Sequence, residues 1–286
     1  MVTTPVFHLE PLPAALAAGG VFTLSGREGR HAATVRRLRA GERLDVTDGA
    51  GGTLRCEVVA ARRDELDCRV LDRAWTPEPA PRLVVVQALA KGDRGELAVE
   101  MLTEVGVDEI VPWSAARSVV RWEGERGARS RARWAASAAE AAKQARRARW
   151  PLVAGLASTA AVRERLAAAD LALVLHESAA EPLAGRLATR GTGPLLAPGG
   201  TGPLLAPGGT GPLLATRDAG SSPGAGHAAE IVLVVGPEGG IADEELAAFG
   251  KAGAVAVRLG PTVLRTSTAG VAAAAVLLAT TGRWDG

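Results

Sequence analysis

Cysteine is scarce in this chain: Cys56 and Cys68 are the only two among 286 residues. That excludes a disulfide framework, and no His, Cys, Asp and Glu fall at metal-ligand spacing. Both thiols sit in short alternating apolar runs, the setting of buried free cysteines. The N-terminal stretch MVTTPVFHLEPLP lacks the basic start and apolar core of a secretory leader. The longest apolar run, Ala269–Ala279, falls well short of the roughly 20 residues that cross a bilayer. No membrane association and a cytoplasmic location are therefore expected. Lysine is nearly absent too (Lys91, Lys143 and Lys251), and the net charge of +2 is too small to announce a nucleic-acid partner by itself. Neither a G-x-G-x-x-G nor a G-x-x-x-x-G-K-[ST] fingerprint follows any predicted strand, so the usual dinucleotide and P-loop readings fail.

Two tandem strand–loop–helix units in the last fifth of the chain organise the rest. Ile231–Val235 is a continuous apolar run, as in a strand buried on both faces of a parallel sheet. It runs into Gly236-Pro237-Glu238-Gly239-Gly240, where glycines permit positive φ and close approach of a ligand to the backbone. Asp243, Glu244 and Glu245 then open a helix, acids in the first turn suiting its dipole. The second unit repeats the pattern: strand Val255–Leu259, turn Gly260-Pro261, then Leu264-Arg265-Thr266-Ser267-Thr268 entering an Ala-rich helix. Ligands on open parallel sheets lie at the carboxyl ends of strands, where both loops fall. A single Gly-Pro loop is often only a turn; two at neighbouring strand ends, carrying Glu238 and Arg265, point to a binding site.

Residues 1 to about 76 read as a small β-rich domain, with strands at Val21–Leu24, Glu42–Thr47, Gly52–Ala60 and Asp67–Val70 and a short helix over Glu28–Arg39. Arg27, Arg30, Arg36, Arg37, Arg39 and Arg43 face only Glu28 and Glu42 there, either a solvated face or a phosphate-contacting patch. Residues 77–82 belong to a proline-rich linker. From Leu83–Gln87 onward strands and helices alternate, which implies a parallel sheet covered by helices. Helix Glu96–Val105 and strand Glu109–Trp113 come next, then a helix over Ser130–Arg149. Between Arg117 and Arg149 ten cations stand against three acids, the strongest local positive field in the chain. On that helix Arg133, Ser137, Glu140, Gln144 and Arg147 share one face, turned to solvent, to substrate or across a dimer interface. Leu152–Glu177 reads as strand, helix and strand, with His176 and Glu177 where the last strand meets its loop. Residues 189–226 are a Gly/Pro-rich insert in which TGPLLAPGG recurs with a period of nine, expected to be a dispensable surface loop.

GPEGG followed by LGPTVLRTSTA resembles the signature of the SPOUT superfamily of knotted RNA methyltransferases. The chain is most similar to the ribosomal RNA small subunit methyltransferase E family, which methylates N3 of a uridine in small-subunit rRNA. Further matches are Lys91-Gly92-Asp93-Arg94, Thr103-Glu104-x-Gly106-Val107 and Arg117-Ser118-Val119. His31, Val35, Arg37, Asp48 and Gly49 match the family's PUA-like RNA-binding barrel. Glu140, Gln144 and Arg147 match a further element, from which Ala145 and Arg146 depart. The resemblance implies a PUA-like barrel over 1–76 and, over 83–286, a parallel α/β sheet whose C-terminal segment threads a trefoil knot. It implies a homodimer that binds S-adenosylmethionine through Gly236, Glu238, Gly239, Leu259, Gly260, Leu264, Thr266 and Thr268. Arg265, Glu238 and Arg147 of the partner subunit are the candidate catalytic residues, with no general base assigned. Arg27, Arg30, His31, Arg37, Lys91, Arg94, Arg117, Arg121, Glu140, Gln144 and Arg147 are the candidate RNA contacts, with rRNA of an assembled or assembling 30S subunit as partner. A methyltransferase of the same fold acting on another RNA or base position, or a non-catalytic RNA-binding assembly protein, are the alternatives.

Overall fold

The computed structural model describes residues 4–13, 16–188 and 229–285; the repeat insert expected at 189–226 lies outside them. The first unit is built from β1 (Val6–His8), β2 (Val21–Leu24), α1 (Gly26–Arg30), β3 (Arg43–Thr47), β4 (Gly52–Ala61) and β5 (Leu66–Trp75). These strands form one sheet in the order β1-β3-β4-β5-β2, parallel only between β1 and β3. Strand β4 alternates buried and outward residues, so Leu54, Cys56 and Val58 enter a core with Phe7, Leu24, Leu44 and Leu66. Both cysteines are buried there, and burial pushes their thiols up, Cys56 to about 12 and Cys68 to about 11.

Three local expectations need correction. Strand β1 was missed because Val6–His8 is too short for its alternation to register. The predicted helix over Glu28–Arg39 is shorter: α1 passes into one π-turn over His31–Val35, and Arg37 adopts a left-handed φ of 54°. Strand β5 runs five residues beyond Val70, its exposed end carried by pairing with β4 and not by a buried face.

The second unit comprises β6 (Arg82–Ala88), α2 (Arg94–Val105), β7 (Glu109–Trp113), α3 (Gly124–Gln144), β8 (Leu152–Val153), α4 (Thr159–Ala168), β9 (Leu171–Leu175), β10 (Glu181–Pro182), α5 (Leu183–Ala188), β11 (Glu230–Val235), α6 (Asp243–Lys251), β12 (Val255–Arg258) and α7 (Thr266–Thr280). Its seven strands are all parallel, in the order β10-β12-β9-β11-β6-β7-β8. On β6, Leu83 and Val85 join Val99, Leu102, Trp134, Leu277 and Leu278 on one face. Val84 and Val86 join Val162, Leu166 and Phe249 on the other. Helices α2, α3, α5 and α7 thus cover one side and α4 and α6 the other, the reason the central strands read as unbroken apolar runs.

Helix α3 begins six residues before its predicted start and ends at Gln144, not Arg149. Arg146 takes a φ of 56°, which breaks the helix and sends the following residues toward the first unit. There Trp150 N–H donates to Gly49 O at 2.8 Å, Gly51 N–H to Ala148 O at 3.0 Å, and the Trp150 and His8 rings lie 4.4 Å apart. A Cβ on Gly49 would sit 2.9 Å from the Trp150 ring, so only glycine admits this contact. Lys143 bonds Glu28 at 3.2 Å and Arg27 bonds Glu140 at 3.3 Å, tying α1 to the end of α3.

Candidate functional site

In a parallel sheet every strand delivers its carboxyl end to the same edge, so the loops after β6, β9, β11 and β12 converge. They enclose a cleft of about 340 Å3. Val235, Ile241, Val257, Leu259 and Leu264 give it apolar walls; Arg94, His176, Glu177, Glu238 and Arg265 give it charge and hydrogen-bonding capacity. The backbone N–H groups of Gly260, Thr262, Val263 and Leu264 have no protein acceptor among the described residues. His176 Nδ1 accepts from Ser178 N–H at 3.3 Å, which leaves the ring proton on Nε2.

A buried relay joins the two loops. Gln87, fully buried at the end of β6, donates from Nε2 to Thr266 Oγ1 at 3.0 Å. Thr266 in turn donates to Gly236 O at 2.7 Å. The first turn of α7 is thereby pinned to the first residue after β11. Gln87 Oε1 has no partner among the described residues, and a Cβ on Gly270 would stand 3.6 Å from it and 3.2 Å from Val235 Cγ2. Gly270 therefore lets α7 press against the glutamine. Of the three glycines in the first loop only Gly240 has a positive φ, 74°. The other two are needed for space: a Cβ on Gly236 would meet Ile241 at 2.8 Å, and one on Gly239 would meet Arg117 O at 3.2 Å.

Glu238 accepts from Lys91 N–H at 3.1 Å and from the Arg94 guanidinium at 3.0 Å. Burial pushes its carboxyl up, but hydrogen bonds from its own N–H and Lys91 N–H, with the Arg94 cation, outweigh that and hold it below the ordinary value. A stabilised carboxylate is a poor proton acceptor, so Glu238 is better built to hold the loop and a ligand than to act as a base. Arg265 is exposed on the cleft and has no ion-pair partner among the described residues.

The predicted cofactor residues Gly236, Glu238, Leu259, Gly260, Leu264 and Thr266 all line this cleft, with Arg265. Gly239 and Thr268 do not: Gly239 faces Arg117, and Thr268 Oγ1 turns back to Arg265 O at 3.2 Å. Arg147, a candidate for the site of a partner subunit, makes its contacts within its own chain. It lies beyond α3, off the face of Glu140 and Gln144, and donates to Thr103 O at 2.8 Å and Val107 O at 2.7 Å. Its guanidinium also faces Asp108 at 3.7 Å, and burial lowers its pKa to about 10 against the opposing effect of Asp108, with Arg283 lowering it further. Within this chain Arg147 is an internal brace with no donor directed at the cleft.

The other cations are spread widely. Arg27 and Glu140 pair with each other, Arg30 pairs with Asp64 at 3.5 Å, and the His31 ring packs edge-on against Phe7. Arg37 and Gln144 are exposed, as is Lys91, which sits beside the cleft. Arg117 reaches Ile241 O at 3.3 Å, and Arg121 holds Ala115 O at 3.1 Å.

Two structural hubs escaped sequence reasoning. Glu245, buried on α6, accepts from Ala116 N–H at 2.9 Å and Thr159 Oγ1 at 2.8 Å. Asp108 receives Leu83 N–H at 2.8 Å and the Arg283 guanidinium, which fastens the end of the chain to the start of β6. In sequence, Gln87 was visible only as one polar residue closing an apolar strand.

Comparison with known proteins places this architecture. The family model of an RNA methyltransferase domain matches residues 76–199 and 205–278, and that of an RNA methyltransferase PUA domain matches 24–71. The chain is 44% identical over 284 residues to ribosomal RNA small subunit methyltransferase E of Mycobacterium bovis, covering 98% of this chain and 93% of that protein. The Bacillus subtilis protein of that name is 27% identical, covering 87% and 86%. A Neisseria gonorrhoeae structure of a ribosomal RNA small subunit methyltransferase E, bound to S-adenosyl methionine, shares the fold with a TM-score of 0.71 at 24% identity, covering 97% and 98%. The parallel-sheet domain with its N-terminal PUA-like unit accords with that fold, and by family model and near-full-length identity the chain belongs to the ribosomal RNA small subunit methyltransferase E family.

Proposed function

We propose that this protein transfers a methyl group from S-adenosylmethionine to N3 of a uridine in small-subunit rRNA. The observation that carries the reading is the cleft itself, formed by the two Gly-Pro loops and pinned through Thr266, with Arg265 free at its mouth. Its volume falls at the lower end of the roughly 300–1,000 Å3 of ligand sites, and its apolar walls beside uncommitted backbone N–H groups suit an adenine ring and its polar edge. Glu177 is exposed in the lining without a partner among the described residues, as an acceptor for ribose hydroxyls requires. The loops around it belong to a C-terminal segment that we read as threading the family's trefoil knot.

When bound, the cofactor supplies an electrophilic methyl carbon on a positively charged sulfur. Uracil N3 carries a proton that must leave before its lone pair attacks that carbon; the sulfur becomes a neutral thioether. Arg265 would stabilise the negative charge spread over the base oxygens once the proton departs to solvent. Leu259 and Leu264 would exclude water from the transfer path, and Glu238, held by Arg94 and Lys91 N–H, would keep its loop closed around the cofactor. Holding both partners in line supplies much of the acceleration. The name borne by the 44% identical relative supports small-subunit rRNA as the substrate. The basic surfaces along 27–39 and 117–133 suit rRNA of an assembled or assembling 30S subunit, and we place the protein in the cytoplasm as a homodimer.

Calorimetric titration with S-adenosylmethionine, followed by mapping of methylated uridines in small-subunit rRNA, tests the proposal. Saturable binding in the micromolar range and one uridine methylated at N3, with methylation but not cofactor affinity lost in Arg265→Ala, is the expected outcome. A folded protein that binds no cofactor overturns it, and methylation of another base atom overturns the N3 assignment alone.

A further inference from the structure

Behind the cleft is a second cavity, of about 370 Å3, between the start of α2, residues 120–122 and the first turns of α3. We propose that it holds a nucleotide of the RNA strand next to the one that is methylated, its phosphate on Arg126 and Arg121 and its base against Trp122. The proposal rests on the function argued above and deepens it by locating where the strand continues beyond the reacting base.

The linings of the two cavities meet in one chain segment. After β6 the chain crosses the top of the sheet through residues 89–93 and enters α2. Arg94 turns into the first cleft to pair with Glu238, whereas Gly92, Asp93, Gly95 and Glu96 line the second. A strand whose target base entered the first cleft would therefore find the second cavity directly across that segment.

The lining has the chemistry of a nucleotide site. Three guanidiniums face it, and two are held in place: Arg121 by Ala115 O and Ala116 O, and Arg133 by Glu96 at 3.2 Å and Ser130 Oγ at 3.3 Å. Arg126 is exposed and has neither a hydrogen bond nor an ion pair among the described residues, so its charge is available. Glu96 is already neutralised by Arg133; Asp93 is the one other acid in the lining and does not cancel the remaining two cations. The half-buried Trp122 stands edge-to-face on the buried Trp134, centroids 4.9 Å apart at 78°, which holds its ring rigid. Gly95 permits the tight fit beneath, since a Cβ there would lie 2.8 Å from Trp134 Cζ2. Guanidiniums beside a fixed aromatic ring are the pairing by which proteins hold a single-stranded nucleotide, the cations taking the phosphate and the ring the base. Tryptophans alone would be read as core; a free arginine opening onto the same polar cavity is what core packing does not explain.

The test uses the full chain and three probes: a fluorescein-labelled single-stranded RNA of twelve nucleotides from small-subunit rRNA, uridine monophosphate, and S-adenosylmethionine. Arg126→Glu should weaken the RNA at least tenfold. Arg126→Ala should lower the slope of log Kd against log salt by about one. In both, cofactor affinity should stay within twofold of wild type. Trp122→Phe, which keeps a ring to pack on Trp134, should retain RNA binding and lose part of the tryptophan quenching that RNA produces. RNA affinity and salt slope unchanged in both Arg126 variants, with cofactor binding intact, would overturn the assignment and leave the proposed function standing. A wild-type protein that binds no cofactor defeats the proposed function itself, a distinct result. Uridine monophosphate binding as tightly as the RNA and lost with Arg126 would mark a free-nucleotide site, against the proposal. A change in sedimentation mass of Arg126→Glu would assign the cavity to contact between copies, also against it.

Discussion

Replacing Thr266 with valine removes one hydroxyl while leaving the side-chain volume almost unchanged. Two hydrogen bonds go with it: the 2.7 Å bond to Gly236 O and the 3.0 Å bond from Gln87 Nε2. Gly236 O lies beside a water-accessible cleft and can be rehydrated, so its loss costs about 1 kcal/mol. Gln87 has no access to water, and its Oε1 is already without a partner, so its amide would keep only a 3.3 Å contact to Ala88 O. Leaving such a group unsatisfied costs about 1–3 kcal/mol, so Thr266→Val should destabilise the protein by about 2–4 kcal/mol. Thr266→Ser keeps both bonds and loses one methyl, for about 1 kcal/mol. Gln87→Leu combined with Thr266→Val removes both ends of the Gln87 bond and should recover part of the loss, which a double-mutant cycle in urea measures. A Thr266→Val protein within about 0.5 kcal/mol of wild type, or strictly additive costs in the double variant, would refute the relay. Cofactor affinity measured on the same variants should fall for Thr266→Val and hold for Thr266→Ser, because Gly236 loses its anchor only in the first.

Other perturbations test separate parts of the structure. The Glu238 carboxyl is held below its ordinary 4.5, so its pairing with Arg94 stabilises the fold above that pH and is lost as pH falls through the folded-state value. Urea midpoints of wild type and Glu238→Gln should therefore converge on acidification below 4.5, and parallel curves would contradict this. Arg147→Met strands two carbonyls and removes one of the two cations facing Asp108; a loss of about 2–4 kcal/mol with unchanged cofactor affinity is expected in calorimetry. Lower RNA affinity at undiminished stability would return Arg147 to the RNA surface. Gly29→Ala would drive a methyl into Leu24 O and place it 2.9 Å from Asp64 O, and should cost at least about 1–3 kcal/mol in thermal unfolding. An unchanged melting temperature would show that the 24–29 turn yields easily.

Strands β6, β7, β11 and β12 were legible because a strand covered by helices on both faces must be apolar throughout, and glycine-rich loops mark where such strands stop. The lining of the cleft was legible for a related reason: the loops are local, and a parallel sheet sends all carboxyl ends to one edge. The sequence alone therefore determined the class of fold, the edge that carries the cleft and most of its lining. Pairing across distance was not legible. Nothing near Gln87 in the chain indicates that it meets Thr266, and nothing near Arg147 indicates that it turns inward to Thr103 and Val107; helical spacing placed it with Glu140 and Gln144. Glu140 reads as one member of a helix face, three residues from Lys143, and only the fold brings Arg27 of α1 against it. Periodicity reports which face of an element is buried, because that depends on the element's own residues. Which polar group meets which in the interior, and so which charges remain free for a ligand, is decided only when distant elements pack and each buried donor must find its acceptor.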